Sequence, residues 1–247
     1  MKIWCLHGAM QNSSVWDFFE DKFCAMGLPV AVQKVDLYHN ISTSLEQWAQ
    51  SFCSSVTEES AEEKSFLLGY SLGGRLAMHA YVNSPQLWSG VIIVSADPGA
   101  HSEESRENIL AKDLAWSKRF QSEDLESLLK EWDHAPVFCQ RSNTAPRELT
   151  NLDSLKISQL LSVYSKGRQQ NLIPCLQQEG AAPMLYLSGE EDHKYSMIGE
   201  GLSRSCTSVT HQTIPDAGHR VPWENPSGFL SVVNQFLREN SRFLYDS

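Results

Sequence analysis

The sequence contains no C-x-x-C pair, no long apolar run and no basic excess, and each absence removes a class of protein. Its six cysteines, Cys5, Cys24, Cys53, Cys139, Cys175 and Cys206, are scattered, so a zinc site is not expected. No stretch approaches the roughly 20 apolar residues that span a bilayer. Met1–Leu6 reaches His7 and Gly8 too soon to supply the apolar stretch of a secretory signal. Lys plus Arg number 20 against 30 for Asp plus Glu, a formal charge of −10. Such a surface repels a phosphate backbone, so neither a nucleic-acid nor a membrane partner is expected. Gly73-Gly74 is no phosphate loop, because Gly-x-x-x-x-Gly-Lys is missing. With scattered thiols, a reduced cytoplasmic setting is the expectation. No metal, flavin or nucleotide cofactor is called for.

What is there suits one large α/β domain carrying an insertion: 247 residues, 41% of them apolar. Short apolar runs alternate with helix-like segments, the pattern of a parallel sheet with crossover helices. Strands are expected at Lys2–Leu6, Pro29–Val35, Ser65–Gly69, Gly90–Ser95, Met184–Ser188 and Ser208–Ile214. Val91-Ile92-Ile93-Val94 and Met184-Leu185-Tyr186-Leu187 are apolar throughout, as strands covered on both faces are. Helices are expected near Ser14–Ala25, capped by Ser13 or Ser14, and near Leu45–Glu58, Leu72–Asn83, Ser196–Cys206 and Ser227–Glu239. Residues 97–182 break the rhythm. They are charged and helical in pattern, cut by Pro136, Pro146 and Pro174, and read as a helical cap inserted between core segments 1–96 and 183–247.

The informative stretch is Phe66-Leu67-Leu68-Gly69-Tyr70-Ser71-Leu72-Gly73-Gly74-Arg75. An apolar strand enters Gly-x-Ser-x-Gly and a helix follows at once, the context of a nucleophile elbow. Small residues on either side of Ser71 let the backbone fold sharply and hold its hydroxyl near a helix N-terminus. A serine hydroxyl is a poor nucleophile or base until something takes its proton. The partners are expected in the order Ser…Asp…His. Ile214-Pro215-Asp216-Ala217-Gly218-His219 ends one strand in a Gly-His turn, and Gly189-Glu190-Glu191-Asp192 ends another in an acidic turn. His219 is the expected base and Asp192 its expected acid. Asp97, at the end of the fourth strand, is the main alternative acid, and Glu190 and Glu191 compete within the same turn. Transition-state charge needs donors, expected from the Leu72 amide and from Ala9, or less favourably Met10, in the turn after the first strand. His7 reads as a structural hydrogen bonder.

These residues resemble the α/β-hydrolase superfamily from Lys2 to the C-terminus. Within it the chain resembles the menaquinone-biosynthesis family of 2-succinyl-6-hydroxy-2,4-cyclohexadiene-1-carboxylate synthases. The shared motifs are the elbow Gly69–Arg75, the acid turn Gly189–Tyr195 and the histidine turn Ile214–His219 followed by Glu224-Asn225-Pro226. Trp116–Phe120, Trp132 and Pro136-Val137-Phe138 are similar to that family's cap. The resemblance implies an α/β-hydrolase fold, a mostly parallel sheet flanked by helices. It also implies an elimination in which a base removes a proton and pyruvate leaves, with no cofactor. The implied substrate is a small carboxylate-bearing molecule. Arg75, Arg119 and Arg168 are the expected cations for it, and Tyr70 and Trp132 the expected walls.

Three loops depart from the family pattern: Asp36-Leu37-Tyr38-His39-Asn40, Gly8-Ala9-Met10-Gln11, and Arg220-Val221-Pro222-Trp223 after His219. The same triad would also serve hydrolysis of a small ester or thioester through an acyl-Ser71 intermediate, because the fold does not fix the reaction. Cap arginines aimed at the nucleophile would favour the polyanionic substrate, and an apolar cap the ester. A non-catalytic binding protein would be expected to have lost a triad member, and all three positions are filled. Cofactor-free haloperoxidase chemistry has no separate signal.

Overall fold

Six apolar runs become six parallel strands in the computed structural model, which describes residues 1–28, 30–60, 65–99, 101–178 and 182–241. They are β1 (Lys2–Leu6), β2 (Ala31–Val35), β3 (Ser65–Tyr70), β4 (Trp88–Val94), β5 (Met184–Gly189) and β6 (Val209–Ile214). The sequence predicts the second strand from Pro29, which lies outside the described residues. Across the sheet the order is β2-β1-β3-β4-β5-β6. The order in which successive strands join the sheet reverses between β1 and β3, so the loops leaving their C-terminal ends part there and open a crevice.

Both faces of the sheet are buried, which is why its inner strands are apolar at successive positions. Trp4, Leu6, Leu67, Val91 and Ile93 pack on one face. Ile3, Cys5, Phe66, Leu68, Ile92 and Val94 pack on the other. Edge strand β6 instead exposes Thr210, Gln212 and Thr213, side chains that discourage pairing with another chain. All six cysteines are free, and Cys5, Cys53 and Cys206 are core residues.

The crossover helices are α1 (Asp17–Ala25), α2 (Leu45–Ser60) and α3 (Leu72–Asn83). Neither Ser13 nor Ser14 caps the first helical segment. Asn12 does, its side-chain oxygen accepting from the Ser14 amide, and a 3-10 turn at Ser13–Trp16 precedes α1. An asparagine one residue upstream satisfies the same orphan donors.

Between β4 and β5 the chain forms α4 (Glu103–Phe120), α5 (Leu125–Asp133), α6 (Ser154–Val163) and α7 (Ile173–Leu176), with no strand among the described residues. Ser102, Asp124 and Asp153 cap the first three of these helices. Helix α4 lies on α6, where the Ser117 hydroxyl donates to the Ser158 carbonyl at 2.8 Å. It also lies on the turn at Lys166–Arg168, where Arg106 Nε donates to the Gly167 carbonyl at 3.1 Å.

After β5 come α8 (His193–Ser205), α9 (Val221–Glu224) and α10 (Pro226–Ser241). The sequence predicts the first of these only from Ser196. It starts at His193 because the Asp192 side chain caps it, accepting from the Tyr195 amide. No helix among the described residues is long and apolar enough to cross a membrane.

Candidate active site

Strand β3 delivers Ser71 to a turn that the backbone adopts at a steric cost. Ser71 has φ 52° and ψ −110°, a conformation that side chains other than glycine adopt rarely and that marks a strained, over-determined position. The flanking glycines are dictated by close approach. A Cβ at Gly69 would overlap the Gly73 carbonyl, and one at Gly73 would overlap the carbonyls of Leu6 and His7. Helix α3 is thereby drawn against the end of β1. Gly73→Ala is expected to cost about 3 kcal/mol, because the obstructing atoms are backbone and cannot rotate away. A Cβ at Gly201 in α8 meets nothing within 4 Å, so Gly201→Ala is expected to stabilise by about 0.5–1 kcal/mol. Urea unfolding of the two variants checks both values.

His219 meets Ser71 and Asp192 together. Its Nδ1 donates to Asp192 Oδ2 at 2.7 Å, and its Nε2 accepts from the Ser71 hydroxyl at 3.2 Å. A carboxylate only accepts, so the ring proton sits on Nδ1 and Nε2 is left free to take a proton. Histidine and aspartate are both buried. The rings of Tyr195, Tyr70 and Phe138 surround the imidazole at 4.8, 5.6 and 5.7 Å.

The competing acids are engaged elsewhere. Asp97 accepts from the Gly99 amide and pairs with His101 at 2.9 Å. Glu191 is held bidentately by Arg141, and Glu190 accepts from the Asp216 amide. Asp192 is the acid that reaches the imidazole. His7 is occupied too: its Nε2 accepts from the Leu37 amide, and its Nδ1 contacts the Gly8 carbonyl at 2.8 Å.

Ser71 and His219 open on a cavity of about 540 Å³, within the size range of small-molecule sites. Ala9 and Leu72 line it, as do Tyr70, Arg75 and Trp132. Leu72 opens α3, so its amide has no partner inside the helix. Arg75 is buried, and its Nη1 donates to the Tyr164 carbonyl at 2.7 Å. Burial lowers its pKa, opposed by the charges of Asp113 and Asp97.

Two predicted cations are not in the cavity. Arg119 is gripped by Glu123 and Glu131, because α4 places it one turn before Glu123 and across from α5. Arg168 is exposed and donates to the Ser162 carbonyl. Neither lines the cavity. Sequence reasoning missed Lys166, which does. No motif marks it, and its position depends on how the turn at Lys166–Arg168 meets α4.

The departing loops have partners of their own. Gln11 Oε1 accepts from the Gly8 amide at 2.9 Å, which holds the turn after β1. Arg220 donates to Asp133 Oδ1 at 2.6 Å and lies over the Phe138 ring at 3.5 Å. Arg147 grips the same carboxylate. Asp133 thus ties the end of α5 to the His219 loop and holds the Arg220 guanidinium that covers Phe138.

A parallel sheet with a strained serine at its crevice, backed by a histidine and an aspartate, defines a class. Residues 5–232 match the alpha/beta hydrolase family, and the chain belongs to it. Its relatives include two proteins named 2-succinyl-6-hydroxy-2,4-cyclohexadiene-1-carboxylate synthase. That of Serratia proteamaculans is 33% identical over 245 residues, covering 95% of this chain and 92% of the relative. That of Photorhabdus laumondii is 35% identical over 203 residues, 77% of this chain and 70% of the relative. Among solved structures, MenH from S. aureus superposes with a TM-score of 0.85 at 22% identity, covering 98% of this chain and 94% of that one. A thermophilic esterase from Thermogutta terrifontis gives 0.74 at 16% identity, covering 97% and 90%. At these identities the structural likeness is one of fold.

Proposed function

We propose that this chain eliminates pyruvate from a carboxylate-bearing intermediate of menaquinone biosynthesis, yielding 2-succinyl-6-hydroxy-2,4-cyclohexadiene-1-carboxylate. The observation that carries this reading is Arg75. It is a buried guanidinium one turn past Ser71, lining the cavity, with no ion pair among the described residues. An unpaired buried cation is costly, and a substrate carboxylate would supply its counter-ion. The sequence similarity to named synthases over most of the chain supports the same reading.

In this mechanism Asp192 holds the imidazole in one tautomer. Nε2 of His219 takes the Ser71 proton, and Ser71 Oγ takes the proton from the substrate carbon. The electron pair of the broken C–H bond moves into the ring, the bond to the leaving oxygen breaks, and pyruvate departs as its enolate, which takes up the proton held on His219 Nε2 and resets the relay. The amides of Leu72 and Ala9 bear the enolate-like charge, while Tyr70 and Trp132 wall the ring. Residues 97–182 act as a cap over a core of residues 1–96 and 183–247. A cytoplasmic setting agrees with six free cysteines.

A second reading, hydrolysis of a small ester through acyl-Ser71, draws on the apolar wall of Trp132, Phe138, Leu160 and Leu161. Pyruvate release from the pathway intermediate, generated in situ, separates the two. Rapid release is expected. Protein that labels at Ser71 with a fluorophosphonate yet releases no pyruvate would leave ester hydrolysis standing and sink the synthase.

A further inference from the structure

The cavity that holds the reacting serine is walled by both signs of charge, and the two signs are unequally satisfied. Each acid that lines it has a donor inside the protein. Asp192 has His219, Glu191 has Arg141, and Asp113 accepts from the Ser165 hydroxyl at 2.6 Å. Asp97 has the Gly99 amide on Oδ1, and its Oδ2 lies 2.9 Å from His101 Nε2. The cations are in the opposite state. Arg75 spends Nη1 on the Tyr164 carbonyl and makes no ion pair among the described residues. The Lys166 ammonium makes neither a hydrogen bond nor an ion pair among them, although the residue lines the cavity. Lys194, at the rim, faces the Tyr195 ring at 5.2 Å.

We propose that Lys166 is a specificity-determining residue of this site, anchoring with Arg75 the carboxylates of a polyanionic substrate. The proposal rests on the synthase reading for the identity of that substrate. It does not rest on it for the chemistry of the anchor. Arg119 and Arg168, the cations that the sequence offers for this task, are held elsewhere. Lys166 stands in the turn at Lys166–Arg168, which packs on α4 and brings the residue into the cavity wall. A lysine with no partner keeps its proton poorly when buried. Burial first, then the positive charges of Lys194 and Arg75, lower its pKa to about 8, while Asp97 and Asp113 act in the raising direction. The other ionisable groups that line the same space are Tyr70, Tyr164, Tyr195, Cys139, Glu191, Asp192, His193 and His219.

The sign of the coupling follows. An anion binds the charged ammonium better than the neutral amine, so affinity falls as pH rises through about 8. A bound dicarboxylate also pulls a proton onto Lys166 above that pH. Arginine in its place stays charged throughout, which removes the fall while keeping the attraction.

The test uses succinate as the anionic probe and succinamide as its neutral counterpart, titrated calorimetrically into the full chain. Lys166→Gln is expected to weaken succinate about tenfold at pH 7, the loss of one charge-assisted bond, and to leave succinamide unchanged. Lys166→Arg is expected to restore succinate binding and to flatten its decline between pH 7 and 9. With the pathway intermediate as substrate, Lys166→Gln is expected to raise KM about tenfold with kcat little changed. A folded wild type that binds no succinate overturns the anchor, and so does a Lys166→Gln variant that binds it as wild type does. Lys166-dependent succinate binding without pyruvate release keeps the anchor and defeats the synthase. Pyruvate release with an unchanged KM in Lys166→Gln does the reverse.

Discussion

Ser71→Ala is expected to lower kcat for pyruvate release about a thousandfold while KM stays within about twofold. General-base catalysis contributes roughly 10²–10⁴ in rate, and the variant removes the oxygen through which His219 Nε2 reaches the substrate. A thousandfold loss corresponds to roughly 4 kcal/mol of barrier. The binding groups Arg75, Tyr70 and Trp132 are untouched. Alanine also relaxes nothing in the turn, because φ 52° at position 71 is imposed by the close approach of Gly69 and Gly73 to their neighbours. Single-turnover measurement of pyruvate, with succinate affinity as the control for an intact cavity, reads the effect. A variant that keeps a tenth of the rate would remove Ser71 from the relay and leave His219 acting on substrate alone. The two outcomes differ by two orders of magnitude, well beyond what a change in expression or folding could imitate.

The parts of the site legible in the sequence are those that local constraint determines. Ser71, Asp192 and His219 each follow a strand within a few residues, and strands β3, β5 and β6 fall where the apolar runs predict them. Once the sheet is parallel, the C-terminal ends of its strands converge on one edge and bring these residues with them. The glycines at 69 and 73 are legible for the same reason, since a sharp strand-to-helix turn has no room for a Cβ. The α8 start was not legible from periodicity alone. Asp192 serves both as helix cap and as histidine partner, and a motif read for one role hides the other.

Cations are a different matter. Arg119 and Lys166 are separated in the sequence by about half of the segment between β4 and β5, and which of them faces the cavity depends on how α4, α5 and the turn at Lys166–Arg168 pack. Arg119 lies within reach of two glutamates, one a turn ahead on its own side and one on α5. The contact with α5 depends on tertiary packing that no single-residue pattern encodes. Arg75 was legible because α3 begins at the elbow, so its distance along the helix from Ser71 is fixed by helical geometry. Asp133 gripping Arg147 and Arg220 at once shows the same limit, for it joins three distant stretches of chain.

Asp192→Asn is expected to be at least as damaging as loss of the serine, and Asp97→Asn is not. Asp192 uses both oxygens: Oδ1 accepts from the Tyr195 amide at 3.4 Å, and Oδ2 accepts from His219 Nδ1 at 2.7 Å. In the asparagine variant the backbone donor at Tyr195 keeps the carbonyl oxygen on its side and turns the amide nitrogen toward the imidazole. Nδ1 must then accept, the proton moves to Nε2, and Nε2 can no longer take the proton of Ser71. The equivalent exchange in serine-protease triads costs about 10⁴ in kcat, and a loss of that order is expected here with KM nearly unchanged. Asp97 meets Gly99 and His101 but not the imidazole, so its asparagine variant is expected to lose less than about tenfold, mainly through the altered charge beside Arg75 and Lys166. Steady-state pyruvate release from the two variants, with NMR of the His219 ring nitrogens reporting the tautomer, makes the comparison. Equal losses, or a wild-type tautomer in Asp192→Asn, would move the acid of the relay away from Asp192.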